Sequence, residues 1–309
     1  ERLVNENKTV NSNTQAKYNY ISQDLVTALR ARIALWTKDY DTAISASTAL
    51  ISSNKYPLIN DGEAFRAMWV TDYGTEVIWQ IYTAAPDELC STNGTMFWGQ
   101  YKNGDPQVMD FIPSQSLIDL YTDGDKDIRF TSFFAPYHLA LSNGSEADVY
   151  VFDKYPGNPD IYSQTIVDNH YINKPKPFRI AEQYLIAAEA YAAKNDVTNA
   201  SKYLNDLCRT RIAEYVDKNY TNATILTAIQ NERHKELVGE GFQLIDLKRW
   251  NLGIDRANAY QESTMVLQPG GVNTTALSKQ AGDDRFVWPI PKAEYDANPQ
   301  LKGQQNPGY

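Results

Sequence analysis

The sequence predicts a mainly α-helical protein, with helix pairs stacked into an α-α superhelical scaffold, a large loop-rich insertion and minor β structure. Three observations predict it. Apolar residues recur every three or four positions in two separated pairs of segments, and small residues occupy matching places in both pairs. The long stretch between the pairs lacks that rhythm.

The first helix is expected from Ser22 to Trp36, where Leu25, Ala28, Leu29, Ile33 and Trp36 share one side. A turn at Thr37-Lys38-Asp39-Tyr40 leads into a second helix from Asp41 to Ser52, which Asn54 and Pro57 end. A second antiparallel pair is expected at Phe178 to Ala193 and Val197 to Ile212, joined by Lys194-Asn195-Asp196. Ala31 and Ala43 are 12 positions apart, as are Ala188 and Ala200, with Tyr191 three after Ala188. Small residues at those places let two helices cross closely, which is the tetratricopeptide pattern. The two pairs are 157 positions apart (Ala31 to Ala188). A tandem repeat of about 34 residues is therefore excluded, and a broken array with an insertion is expected.

In the insertion, Glu76 to Tyr82 alternates partly and reads as a strand. Ser114 to Tyr121 reads as a short helix ended by Asp123-Gly124-Asp125. The remainder, Pro86 to Met109 and Ala135 to Asn173, reads as loop, and long loops in compact domains tend to carry function. After the second pair, Thr224 to Gly239 is expected to be amphipathic, with Ile225, Ala228, Ile229 and Leu237 on one side. Phe242 to Trp250 follows the break at Gly239 and Gly241. The whole is read as one domain: a helix pair over 15–57, a ligand-binding insertion over 58–177, helices over 178–262 and an extended tail over 263–309.

Hydrophobic residues form 42% and charged residues 22% of the 309-residue chain, proportions of a folded globular protein. No apolar run approaches the ~18 residues of a membrane span. A net charge of −9 without a basic cluster argues against nucleic acid, whose phosphates need a positive face. Glu1-Arg2-Leu3-Val4-Asn5 has no apolar signal core and reads as a processed or truncated terminus. Cys208 falls in a helical apolar pattern, as a buried free thiol does. Cys90 lies in a polar loop, and sequence leaves a bridge between them open.

Asp123-Gly124-Asp125-Lys126-Asp127 resembles the start of a calcium loop, but Ile128 and Phe134 replace the Gly and Glu that loop requires. A turn whose carboxylates meet Arg129 is the better reading. Glu232-Arg233-His234-Lys235-Glu236 is not a zinc-protease motif, and Glu236 with Glu240 could pair as acid and base. The cations around them favour a structural ion-pair network comprising Glu232, Arg233, Glu236, Glu240, Asp246 and Arg249. His138, His170 and His234 lack ligand spacing. No phosphate loop, nucleophile elbow or Cys-x-x-Cys occurs, so no catalytic residue, metal or cofactor is expected.

The 21 tyrosines and 6 tryptophans are more informative. Phe97-Trp98-Gly99-Gln100-Tyr101 sits in a Gly/Asn/Asp-rich stretch, and Tyr137, Tyr150, Tyr155, Tyr162 and Tyr171 follow in the second loop. An aromatic face stacks on the C–H face of a sugar while polar neighbours bond its hydroxyls. The candidate ligand-binding residues are Trp98, Tyr101, Tyr137, Tyr155 and Tyr162. The competing reading packs these rings between the insertion and the helices.

Arg179-Ile180-Ala181-Glu182-Gln183-Tyr184-Leu185-Ile186-Ala187-Ala188-Glu189-Ala190 resembles the SusD/RagB family of outer-membrane lipoproteins. So do Glu232-Arg233, Glu236-Leu237-Val238-Gly239-Glu240-Gly241-Phe242 and Asp246-Leu247-Lys248-Arg249-Trp250. The close, Trp288-Pro289-Ile290-Pro291, Glu294, Asn298-Pro299 and Gln305-Asn306-Pro307-Gly308-Tyr309, is similar too. Asp127-Ile128-Arg129 and the stretch from Leu29 to Tyr56-Pro57-Leu58 also match, so the resemblance spans the chain. It implies a non-catalytic surface protein that binds oligosaccharide or polysaccharide and caps a SusC-like TonB-dependent transporter in a Bacteroidetes outer membrane. The family's lipid-bearing cysteine and further helices have no counterpart here, so the sequence reads as the C-terminal portion of such a protein, anchored through a lipid outside this chain. A RagB-like peptide-binding lid and a glycoside hydrolase are the alternatives, and a pure scaffold gripping the transporter is a further one.

Overall fold

A computed structural model describes residues 19–82, 100–102, 105–108, 112–140, 146–159, 173–255, 278–301 and 303–309. The first helix, α1, runs Gln23–Trp36 and is capped by Ser22, whose hydroxyl accepts from the Leu25 amide. α2 runs Tyr40–Ser52 and is capped in the same way by Asp39. In the insertion α3 (Gly62–Val70) precedes β1 (Val77–Trp79), and β2 (Gln100–Lys102) pairs with β3 (Asp105–Val108). Short helices α4 (Gln115–Ile118) and α5 (Ile128–Phe133) lead into a hairpin of β4 (Phe134–Ala140) and β5 (Glu146–Phe152). β6 (Phe178–Arg179) opens α6 (Ile180–Ala193), followed by α7 (Val197–Arg211), α8 (Ile225–Glu236) and α9 (Gln243–Trp250). β7 (Ile254–Asp255), β8 (Ser278–Lys279) and α10 (Lys292–Ala297) complete the described elements.

The molecule is mainly helical, as its periodicity predicts. The expected boundaries of both helix pairs hold to within two residues. In space the pairs adjoin: α2 packs on α6, and Ala31, Ala34, Ala43 and Ala46 meet Ile186 and Ala190 in one cluster. Ala31, Ala43, Ala188 and Ala200 are all fully buried, as small residues at a helix crossing are expected to be. The array broken in sequence is thus continuous in structure. α8 extends it, placing Ile225 and Ile229 against Leu185, Ala188 and Leu204.

The insertion departs further from its expected loops. α3 carries Phe65, Met68 and Trp69 inward at helical spacing, in a helix too short for a firm periodic signal. The β4–β5 hairpin occupies the first part of the stretch expected to be loop. Pro136 inside β4 hides the strand, since proline in a run argues against one. Phe65, Trp69, Tyr121, Phe130, Phe133, Phe134 and Tyr155 form an aromatic core, with Trp69 edge-on to Phe133 and Tyr155. β1 pairs antiparallel with β6, bringing the two ends of the insertion together at the start of α6. The tail is less extended than expected: it holds α10, and Gln305 grips both backbone groups of Ile290. Cys208 is a buried thiol, and desolvation pushes its pKa up. Cys90 lies outside the described residues.

Candidate functional site

The insertion is fastened to the helices by buried charge. Five cations (Arg129, Arg179, Arg211, Lys154, Lys235) face five carboxylates (Glu76, Asp127, Glu232, Glu236, Glu240) in one connected set. Glu236 is its centre. Arg179 Nη1 donates to its Oε1 at 2.8 Å, Arg211 Nε to its Oε2 at 3.0 Å and Arg129 Nη1 to the same oxygen at 3.2 Å. Arg129 also grips Asp127 with Nε and Nη2 and donates to Glu232. Lys154 Nζ donates to Glu240 at 2.7 Å and to the Val238 carbonyl at 2.8 Å.

For Glu232, Glu236 and Glu240 burial opposes the ionised form, and the neighbouring cations more than reverse it. Desolvation opposes the ionised form of Glu232, yet Arg129 and Lys235 bring it down to about 2. Glu236 is held well below the usual range by Arg211, Arg179 and Arg129 against the same penalty. Lys154, buried among Trp69, Phe133 and Glu240, is pulled down to about 8 chiefly by desolvation. Glu236 and Glu240 are therefore locked as salt-bridged anions, the structural reading rather than an acid–base pair. A second buried chain links Arg233 and Arg249 through Asp246, and Arg249 to Glu189.

A smaller device fixes the far end of the insertion. Asp72, buried at a positive φ after α3, accepts from Asn158 (2.8 Å), Asn173 (3.3 Å) and Lys176 (2.6 Å). The residues flanking 160–172 on both sides thus converge on one carboxylate.

The hairpin projects the accessible chemistry. Cross-strand register sets His138 opposite Asp148 and Tyr137 opposite Val149. His138 Nδ1 lies 2.7 Å from Asp148 Oδ1 and its Nε2 lies 3.4 Å from Glu146 Oε2, all three being exposed. The hydrogen bond to Asp148 raises the imidazole pKa. Tyr137 is half-buried beside Val149, Val151 and Ile112, and Tyr150 rests on Phe130 with ring centroids 4.9 Å apart. A depression of 270 Å³ is lined by Pro136, Tyr137, His138, Asp148, Val149 and Tyr150. It offers partly exposed rings, a carboxylate acceptor and an imidazole, a set suited to a hydroxyl-rich ligand with one apolar face.

Of the five residues expected to touch ligand, Tyr137 is placed at this depression. Tyr155 is a correction. It is 4% exposed and edge-on to Trp69 at 5.4 Å, so it belongs to the aromatic core and presents no face to a ligand. Trp98 and Tyr162 lie outside the described residues, as does the side chain of Tyr101, whose backbone sits in β2. Sequence reading passed over His138 and Asp148, because their partnership exists only through a hairpin register that Pro136 conceals.

The profile of the SusD family matches residues 140–309. A SusD superfamily protein from Bacteroides thetaiotaomicron is similar in structure, with a TM-score of 0.69 and 26% identity over 95% of this chain and 62% of that one. A SusD-like carbohydrate binding protein from Bacteroides vulgatus aligns with a TM-score of 0.64 and 25% identity, covering 81% of this chain and 49% of that one. A SusD-like protein of Formosa agariphila is 25% identical over 264 residues, 74% of this chain. The chain spans 49% of that relative's length and 58% of a second one's from the same organism.

Proposed function

Because the chain belongs to the SusD family, we propose that it binds glycan at the insertion, without chemistry, and hands it to a SusC-like TonB-dependent transporter at a Bacteroidetes-type outer-membrane surface. Attachment to that membrane through a lipid anchor is part of the proposal. Among the described residues no helix is long and apolar enough to cross a membrane. The observation that carries the reading is the hairpin depression, where Tyr137 and Tyr150 stand beside the exposed His138–Asp148 pair. Ring stacking supplemented by a few side-chain hydrogen bonds gives modest affinity, which suits a protein that must release its ligand onward. The carboxylates most suggestive of catalysis, Glu236 and Glu240, are buried under arginines and kept ionised, which supports a role without proton transfer.

The test is Tyr137→Ala, with Trp98→Ala in parallel, titrated calorimetrically against an oligosaccharide selected on a glycan array. At least a tenfold loss of affinity for Tyr137→Ala, with an unchanged melting temperature, is the expected result. Unaltered binding removes the depression from the ligand surface. New reducing ends on incubation with polysaccharide establish a hydrolase instead.

A further inference from the structure

We propose that a groove on the helical scaffold is a second saccharide site, distinct from the hairpin, an inference that rests on the glycan-binding reading. The groove holds 320 Å³ between the ends of α1 and α6 and the flanks of α8 and α9. That volume is at the small end of ligand sites, about 300–1,000 Å³, and suits a short saccharide. Its apolar lining includes Trp36, Ile225, Leu226 and Trp250.

The Trp250 ring is positioned in advance. Its indole N–H donates to Glu189 Oε1 at 2.8 Å, Arg249 Nη2 donates to Glu189 Oε2 at 2.7 Å, and the Arg249 guanidinium lies 4.4 Å from the ring centroid. Asp246 accepts from Arg249 Nε at 2.7 Å, so the guanidinium is held as well. A ring fixed before binding loses little conformational freedom when a ligand arrives. The Glu189 charge is matched by Arg249, which leaves the lining near neutral apart from Lys38 at the rim.

Asn222 and Gln230 also line the groove, and among the described residues neither amide has a hydrogen-bond partner. Partly exposed indoles beside unengaged amides match the apolar face and the hydroxyl edge of a pyranose. An extended peptide asks for a strand edge or free backbone groups. These walls are largely helical, with backbone groups bonded within the helices.

The experiment is calorimetric titration of the chain with maltoheptaose, laminarihexaose, xylohexaose and mannohexaose, in wild type, Tyr137→Ala and Tyr137→Ala/Asn222→Ala/Gln230→Ala. Circular dichroism confirms folding, which surface amides scarcely affect. The expected result is two sites per wild-type chain, one remaining in Tyr137→Ala, and at least a tenfold loss of that residual affinity in the triple variant. A single site abolished by Tyr137→Ala overturns this proposal and leaves the hairpin reading standing. So does residual binding indifferent to the amide changes. Binding of none of the four by wild type overturns both. A casein peptide digest that binds Tyr137→Ala where the sugars do not makes the groove a peptide site and overturns the saccharide assignment.

Discussion

Two boundaries hold the molecule together, and they differ in how much buried charge they carry. Between the helix pairs the contact is small and apolar, with Ala31, Ala34, Ala43 and Ala46 of the first pair packed against Ile186 and Ala190 of the second. Between scaffold and insertion buried charge is added to apolar packing of Ile78 on Leu25 and Ala28: Glu76, Asp127, Arg129 and Lys154 from one side face Arg179, Arg211, Glu232, Glu236 and Glu240 from the other. An apolar boundary stabilises by area and close packing, and tolerates small slips. A buried ionic one gives little net stabilisation over a greasy equivalent, yet is strongly disrupted when a single partner is missing. Register therefore matters more at the second boundary than at the first. Helices can be stacked by shape, whereas an irregular excursion needs directional bonds to sit in one place.

The largest effect is expected of Glu236→Ala, which leaves Arg129, Arg179 and Arg211 facing no central anion. A loss of about 4 kcal/mol in chemical denaturation is expected, as for other severed buried pairs. A loss below that of an alanine-seam variant would reverse the ranking. Next is Tyr155→Ala, predicted to cost about 3 kcal/mol by emptying the aromatic core while glycan affinity per folded molecule is unchanged. A selective fall in affinity there would restore the ring to the binding surface. Ala43→Leu should cost about 2 kcal/mol through overpacking between α2 and its neighbours, read as a lowered melting temperature.

Acid offers a graded probe of the charged boundary. Glu232 is depressed in the folded state from 4.5 to about 2, so its contribution is present above pH 4.5 and is lost as pH falls through that interval. His234 acts earlier. Desolvation lowers it from 6.5 to about 4, so the unfolded chain takes up its proton first and stability declines as pH falls from 6.5 to 4. His234→Gln should flatten that upper interval alone in a melting-temperature profile. The smallest effect belongs to the exposed pair of Lys194 with Asp41, where Lys194→Ala should change stability by less than ~0.5 kcal/mol.

Much of the scaffold was readable because amphipathic helices repeat a local signal. Ser22, Asp39 and the paired alanines announce starts and crossings within a few residues of themselves. The structural role of Glu232, Glu236 and Glu240 was readable from the cations beside them in sequence. Lys154, which pairs with Glu240, and Glu76, which shares Arg179 and Arg211 with Glu236, were not, since these meet only through the fold. The insertion's rings posed a harder problem: Tyr137 follows a proline and Tyr155 precedes one, both without helical period, and only packing against Trp69 separates core from surface. His138 with Asp148 was invisible for the same reason, being a cross-strand pair ten positions apart.

Asp72 has a bearing on two stretches of chain that are remote from it in sequence. Asn158 on one side and Asn173 and Lys176 on the other are moored to this one carboxylate. Lys176 and Asp72 are buried together, so losing the anion leaves an ammonium without its counter-charge inside the protein. A single short side chain thus serves as keystone for segments that only the fold brings within reach of each other.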